Sequence, residues 1–395
     1  MKHLAVALVA LLLPAASFAQ IDLGGSAEDA IRSTIEDAAR TEKKDTTNPS
    51  TENPPQATES AATLHMFGKY DFIAGEKILF ADDFSNTSVG DFPKAWKTNG
   101  SGEIVTTSVS TGHWLMIKPN AMYTPTWGAT MPENVTLEFD MINADLSGAE
   151  GDWTISLFEH KNGDGLETYK PGASGVAFNI WPGNIQVENW KDKGDAGISN
   201  QVPCGVFGDL NKPMHVAIWR QGTRVRLWLN ETKVYDLPQF VPDGVTLNAF
   251  QISSNVPEIS HVILTNVRLA EGAPDTRSSL ITDGRLSTTG ITFDVGSDII
   301  RPSSYGVLRS IADVLKDNAA VRVMIIGHTD NDGKPEANIL LSKRRAIAVK
   351  NAFVKEFGIA EGRMDTDGKG AGQPAMPNTT PEGKAGNRRV EFVKL

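Results

Sequence analysis

Asp330 and Arg345, fifteen positions apart, are of types that can hold a small charged group between them. A carboxylate only accepts hydrogen bonds and a guanidinium presents a planar fork of donors. Together they can bracket a zwitterion, the acid taking an ammonium and the arginine a carboxylate. The same pair at a strand–helix junction is more often a salt bridge or a cap, and spacing alone leaves both readings open. Asp330 lies in Gly327-His328-Thr329-Asp330-Asn331-Asp332-Gly333, directly after the apolar run Val321–Ile326, which reads as a buried strand. Arg345 falls on a helix expected over Asn338–Phe357 and closed by Gly358. That helix must fold back along the sheet for the two side chains to meet. Arg344 is turned ~100° away around the helix and reads as a solvated charge.

The surrounding pattern alternates strand and helix. Ile291–Phe293 reads as a strand, Tyr305–Leu315 as a helix with Val307, Leu308, Ile311, Val314 and Leu315 on one face, and Arg389–Val393 as a closing strand. Residues 284–395 are therefore expected to form a β-α-β-α-β α/β sandwich. Residues 78–270 are different in texture: short β-type runs (Val135–Met141, Trp153–Phe158, Gly175–Ile180, His215–Trp219, Arg224–Trp228, Val262–Leu269) broken by Gly, Asn, Asp and Pro. They predict an all-β, jelly-roll-like sandwich, with a hairpin turn at Gln221-Gly222. A polar hinge over 271–283 joins the two, giving a multidomain chain. Residues 20–77 are polar and read as a flexible linker, with a marginal helix at Ser26–Arg40. At the start, Lys2, the apolar run Leu4–Leu13, Pro14 and Ser17-Phe18-Ala19 form the pattern of a signal peptide over 1–19, cut after Ala19. Its apolar run is shorter than the ~20 residues a membrane-spanning helix needs, and an exported envelope protein with no transmembrane span after processing is expected.

The 395 residues carry a formal net charge of −10, which argues against a nucleic-acid partner. The charge is uneven: residues 277–395 hold 18 Lys+Arg and 14 Asp+Glu, the rest 20 and 34, so the C-terminal block suits an anionic partner. The one cysteine, Cys204, excludes an internal disulfide, and the seven histidines lie singly without metal-ligand spacing, so no metal and no cofactor is expected.

Four motifs stand in order in the C-terminal block: Gly327-His328-Thr329-Asp330; Asn338, Leu341-Ser342 and Arg345-Ala346; Gly368-Lys369-Gly370; and Asn387-Arg388-Arg389-Val390-Glu391. With these, residues of about 284–395 resemble the peptidoglycan-binding C-terminal domain of the OmpA family. The resemblance implies that Asp330 takes the ammonium and Arg345 the carboxylate of diaminopimelate in a stem peptide. It further implies that a backbone amide at Gly296, in the loop Phe293-Asp294-Val295-Gly296, touches the ligand, where the family often carries a polar residue. Asn338 would orient the loop or the arginine, and His328 and Thr329 would hold the loop in shape, Thr329 counting with the ligand-binding set. Arg388 and Arg389 read as structural residues at the sheet end, with contact to ligand phosphate or carboxylate groups as the other reading. The family's frequent eight-stranded barrel does not carry over, because the middle strands are irregular and rich in Asp, Asn and Gly. The implied function is a non-covalent anchor without chemistry of its own, in the periplasm, associated with the cell wall and the outer membrane, displaying or tethering the sandwich.

The sandwich itself looks concanavalin-like or laminin-G-like in Ala81-Asp82-Asp83-Phe84-Ser85, Trp114-Leu115 and Val135–Asp140. All eight tryptophans lie in it (Trp96, Trp114, Trp127, Trp153, Trp181, Trp190, Trp219, Trp228), and core packing is preferred to sugar stacking for most. Asn162-Gly163-Asp164-Gly165 reads as a turn rather than a calcium loop. Glu138, Asp140, Glu159 and Glu188 are the carboxylates from which a glycosidase pair would be drawn. The alternative function is a glycan-active enzyme or a carbohydrate-binding adhesin that its C-terminal domain only localises, and a glycan or an envelope protein is the partner considered for the sandwich.

Overall fold

The computed structural model describes residues 70–395, apart from 128–129, 145–151, 162–166, 168, 182, 206–210, 256–260 and 273–275. The signal peptide expected over 1–19, the helix expected at Ser26–Arg40 and the turn at Asn162–Gly165 lie outside the described residues.

Fifteen strands build the sandwich among the described residues: β1 (Lys77–Asp82), β2 (Trp96–Thr98), β3 (Gly102–Val105), β4 (Trp114–Ile117), β5 (Ala121–Pro125), β6 (Asn134–Ala144), β7 (Asp152–Phe158), β8 (Gly175–Trp181), β9 (Asn184–Lys191), β10 (Gly194–Pro203), β11 (Met214–Gln221), β12 (Arg224–Leu229), β13 (Thr232–Leu237), β14 (Ala249–Asn255) and β15 (His261–Glu271). One sheet runs β13-β12-β11-β6-β15-β4-β3, with β1 also paired to β15, and the other runs β10-β9-β8-β7-β14-β5-β2. The pairing is antiparallel throughout, so side chains of alternate residues face the same way. On β11 and β12, Val216, Ile218, Val225, Leu227 and Leu229 point between the sheets, where they join Phe139, Ile155, Phe178 and Phe250 in one core. The expected hairpin forms with Gln221 opposite Arg224 and Gly222 at φ +60°, the left-handed conformation such a turn favours in glycine.

The outer face of the same two strands is covered as well. Ala217, Trp219 and Trp228 pack on Phe72 and Ala74, with Phe72 edge-on to Trp228 at a centroid distance of 5.2 Å. Residues 70–76 had been assigned to the linker by their polar neighbourhood; instead Phe72 is fully buried, because two tryptophans offer it an apolar seat. Trp96, Trp114, Trp153, Trp190, Trp219 and Trp228 are all buried.

The second layer system contains β16 (Arg285–Thr288), α1 (Tyr305–Asp317), β17 (Val323–His328), α2 (Pro335–Lys355), β18 (Met364–Gly370), α3 (Pro381–Asn387) and β19 (Val390–Lys394), with sheet order β16-β19-β17-β18. Helices α1 and α2 bury Leu308, Ile311, Val349 and Phe353 against Ile325 and Phe392 of the sheet. The element order corrects the sequence reading in three places. The first strand is Arg285–Thr288, while Ile291–Phe293 runs through a loop with one bridge, Phe293 to Ile300. Strand β18 and helix α3 went unread, since Met-Asp-Thr-Asp-Gly-Lys-Gly has no apolar alternation. It is a strand because it lies parallel beside β17 under α2, where only Gly368 leaves room for the backbone of Lys343.

Of the segment read as a hinge, the residues from Thr276 onward are packed. Thr276 is buried and the wide helical turn Ser278–Thr282 buries Leu280 completely. Sandwich and α/β layers are joined by polar contacts: Glu76 accepts from Thr288 Oγ1 (2.5 Å) and Thr289 N (2.9 Å), and Arg268 bridges Glu138 (2.7 Å) to Thr289 Oγ1 (2.7 Å). Arg301 pairs with Asp140 at 2.6 Å. At Gly306 a Cβ would collide with the carbonyl of Phe72, so glycine is what lets α1 approach this segment.

Candidate functional site

Strand β17 buries Val323, Ile325 and His328, and at its end the chain turns as Thr329–Gly333 before α2 begins. That turn is held from several sides. Thr329 N donates to Gly370 O (3.0 Å) and its hydroxyl to Asp330 O (2.8 Å). Asn338, one turn into α2 and buried, donates Nδ2 to the carbonyls of Asp332 (2.8 Å) and Asp330 (3.3 Å). Asn338 thus contacts the loop backbone, the first of the two partners considered for it. His328 is buried with its Nε2 3.5 Å from Glu391. Helix α2 lies so close to β17 that a Cβ at Gly327 would fall 3.0 Å from the carbonyl carbon of Ser342 and 3.3 Å from its Cα.

The fixed loop leaves Asp330 at the wall of a cavity of about 620 Å³, which Arg345, Gly296, Thr329 and Asn338 also line. Asp330 is buried, and its Oδ2 lies 2.7 Å from Arg388 Nη1. Arg345 crosses from α2 to the loop after Phe293, donating Nε to Ser297 O (2.9 Å) and Nη2 to Asp294 O (3.4 Å), with its guanidinium 4.8 Å over the Phe293 ring. Among the described residues no carboxylate lies within ion-pair distance of Arg345. Burial, and after it the positive Arg388, bring its pKa down to about 10, so it stays charged at neutral pH. Gly296 sits at φ +67° in that loop, a conformation that β-carbon-bearing residues resist. Arg344 is exposed and faces Asp298 at 3.7 Å.

Arg388 and Arg389 both line the cavity. Arg389 pairs with Glu391 (2.8 Å), whereas Arg388 reaches Asp330 (2.7 Å). Sequence reading missed Asp83, whose Oδ2 lies 3.2 Å from the same Arg388 Nη1 and comes from the sandwich. The cavity is lined from both sides, by Asp83, His113 and Asn266 of the sandwich as well as by the loops around Asp330 and Gly296. Among the described residues no group of three or more His, Cys, Asp or Glu is placed to hold a metal ion, and no helix is long and apolar enough to cross a membrane.

Residues 292–388 match the family model described as OmpA family. They are an OmpA family domain. Over 101 residues the chain is 38% identical to outer membrane porin F of Pseudomonas aeruginosa, covering 26% of this chain and 29% of that protein. It is 44% identical over 98 residues to the peptidoglycan-binding protein ArfA of Mycobacterium tuberculosis, covering 25% and 29%. The chain thus spans less than a third of the length of either relative. A carbohydrate-binding module, CBM66 of Bacillus subtilis, is similar at 15% identity with a TM-score of 0.31, covering 45% of this chain and 96% of that one.

Each of the four carboxylates considered for a glycosidase has a partner, Glu159 lying 3.6 Å from Lys161. Glu138 meets Arg268 (2.7 Å), Asp140 meets Arg301 and His215, and Glu188 accepts from Asn179 (2.9 Å).

Proposed function

We propose that this chain is an envelope protein that anchors non-covalently to peptidoglycan through its OmpA family domain, performing no chemistry there. The ligand is the amino-acid end of diaminopimelate in a stem peptide, its ammonium received by Asp330 and its carboxylate by Arg345, with the backbone at Gly296 facing it and Thr329 and Asn338 fixing the loop. One observation carries the reading. Arg345 is spent on backbone carbonyls and an aromatic face, so a charged guanidinium and a buried carboxylate line one cavity without being each other's ion-pair partner. An arginine paired only to neutral groups is poised for an incoming carboxylate. Similarity to a protein named for peptidoglycan binding supports the same reading. Each charge-assisted contact is worth ~1.5–3 kcal/mol, so a single site is weak and the repeating wall lattice strengthens retention by avidity.

The test is co-sedimentation with diaminopimelate-type sacculi. The native chain is expected in the pellet, and Asp330→Ala and Arg345→Ala, folded by circular dichroism, in the supernatant. Equal pelleting of all three would overturn the assignment of the site, and no pelleting of the native chain would overturn the anchor itself.

A further inference from the structure

The cavity of the OmpA family domain is walled on one side by the sandwich, and from that side Asp83 meets Arg388, the partner of Asp330. The Asp83 carboxylate is set in place before any ligand arrives: Oδ1 accepts from Ser85 N (3.1 Å) and Ser85 Oγ (2.7 Å), which leaves Oδ2 directed at Arg388. Arg388 Nη1 is shared, 2.7 Å from Asp330 and 3.2 Å from Asp83. Lys384, the other cation nearby, is committed to Asp332 at 2.8 Å. The wall does not drift, because β1 is held to β15 and the junction is fastened by Arg301–Asp140 and Glu76–Thr289.

From this arrangement we infer that Asp83 is a positioning and specificity-determining residue of the ligand site, contributed by the sandwich, and that it makes the site select a zwitterion over an anion. The inference rests on the anchor reading and goes beyond it, since that reading assigns the sandwich no part in binding. The charges decide it. Asp330 and Arg345 are matched to the ligand's two ends, so Arg388 adds an unmatched positive charge beside the very carboxylate that must accept an ammonium. With Asp83 present the four groups are neutral together, and Arg388 has a second carboxylate to hold while Asp330 turns its oxygen to the ligand. Without Asp83 the site carries a net positive charge, Arg388 stays on Asp330, and an anion becomes the better fit. Consistent with a working charge, Arg388 holds the Asp83 carboxyl below its ordinary range even though burial opposes this.

The experiment is calorimetric titration of the full chain with two soluble probes: the stem tripeptide ending in meso-diaminopimelate, and the same tripeptide with that ammonium acetylated. The native chain is expected to prefer the free amine. Asp83→Asn is expected to bind the free-amine peptide roughly tenfold more weakly and to lose most of the preference, whereas Asp83→Glu restores both. Asp330→Ala is run alongside, and thermal melts check that each variant is folded. If Asp83→Asn keeps native affinity and preference while Asp330→Ala loses binding, the inference falls and the anchor reading stands. If the native chain binds neither peptide, the anchor reading falls and takes the inference with it. If Asp83→Asn is unfolded, Asp83→Glu decides: a folded Asp83→Glu that has lost the preference overturns the role of the charge, and one that keeps it upholds that role.

Discussion

His215 makes the stability of the sandwich depend on alkaline pH. It stands opposite Asp140 in the pairing of β11 with β6, with Nδ1 2.8 Å from Asp140 Oδ1 and Nε2 3.6 Å from Glu138, and its side chain is 21% exposed. Burial opposes a charge on the ring, but the hydrogen bonds and charges of Asp140 and Glu138 outweigh it and push the pKa up to about 9. The two carboxylates are held below their ordinary range in turn, by His215 and the adjacent arginines. An unfolded histidine titrates near ~6.5. Because the folded value is the higher, the stabilisation is fully present below ~6.5 and is lost as pH rises through about 9. At about 1.4 kcal/mol per pKa unit, the interval of ~2.5 units corresponds to a loss of at most about 3.5 kcal/mol. The assay is urea unfolding at pH 6.5 and 9.5 followed by tryptophan fluorescence, which reports the sandwich because all eight tryptophans lie there. The native chain is expected to lose stability over this window, and His215→Gln to start lower and change little, so that the two converge at high pH. Parallel loss in both chains would refute the reasoning.

Gly327→Ala places a methyl group against the backbone of Ser342, which cannot rotate away, so α2 must shift; destabilisation of roughly 1–3 kcal/mol in denaturant unfolding is expected, with weaker sacculus binding because Arg345 rides on the same helix. Asn338→Ala removes the amide that donates both of these hydrogen bonds to the Asp330 loop; affinity for the diaminopimelate tripeptide is expected to fall roughly tenfold, each neutral hydrogen bond being worth ~1 kcal/mol, and native-like affinity in calorimetry would count against the loop-orienting role.

Local pattern was enough for much of this molecule. Alternation in Val216–Leu229 gave both strands and their turn away, and the apolar face of Val307, Leu308, Ile311, Val314 and Leu315 marked α1, because burial on one side of a strand or helix imprints a period of two or 3.6 on neighbouring residues. Two of the C-terminal motifs likewise contain Asp330, Asn338 and Arg345, which line the cavity. What depended on distant partners left no such imprint. Strand β18 is legible only beside β17, and Phe72 is a core residue only because Trp219 and Trp228 lie more than a hundred positions away. Arg388, at the sheet end, finds its partners only in the fold, which sets it between Asp330 and Asp83, the latter 305 positions earlier in the chain. A hydrophobic period is written within a few residues, whereas the partner of a charge is chosen by whichever surface the whole chain brings to it, and that choice belongs to tertiary structure alone.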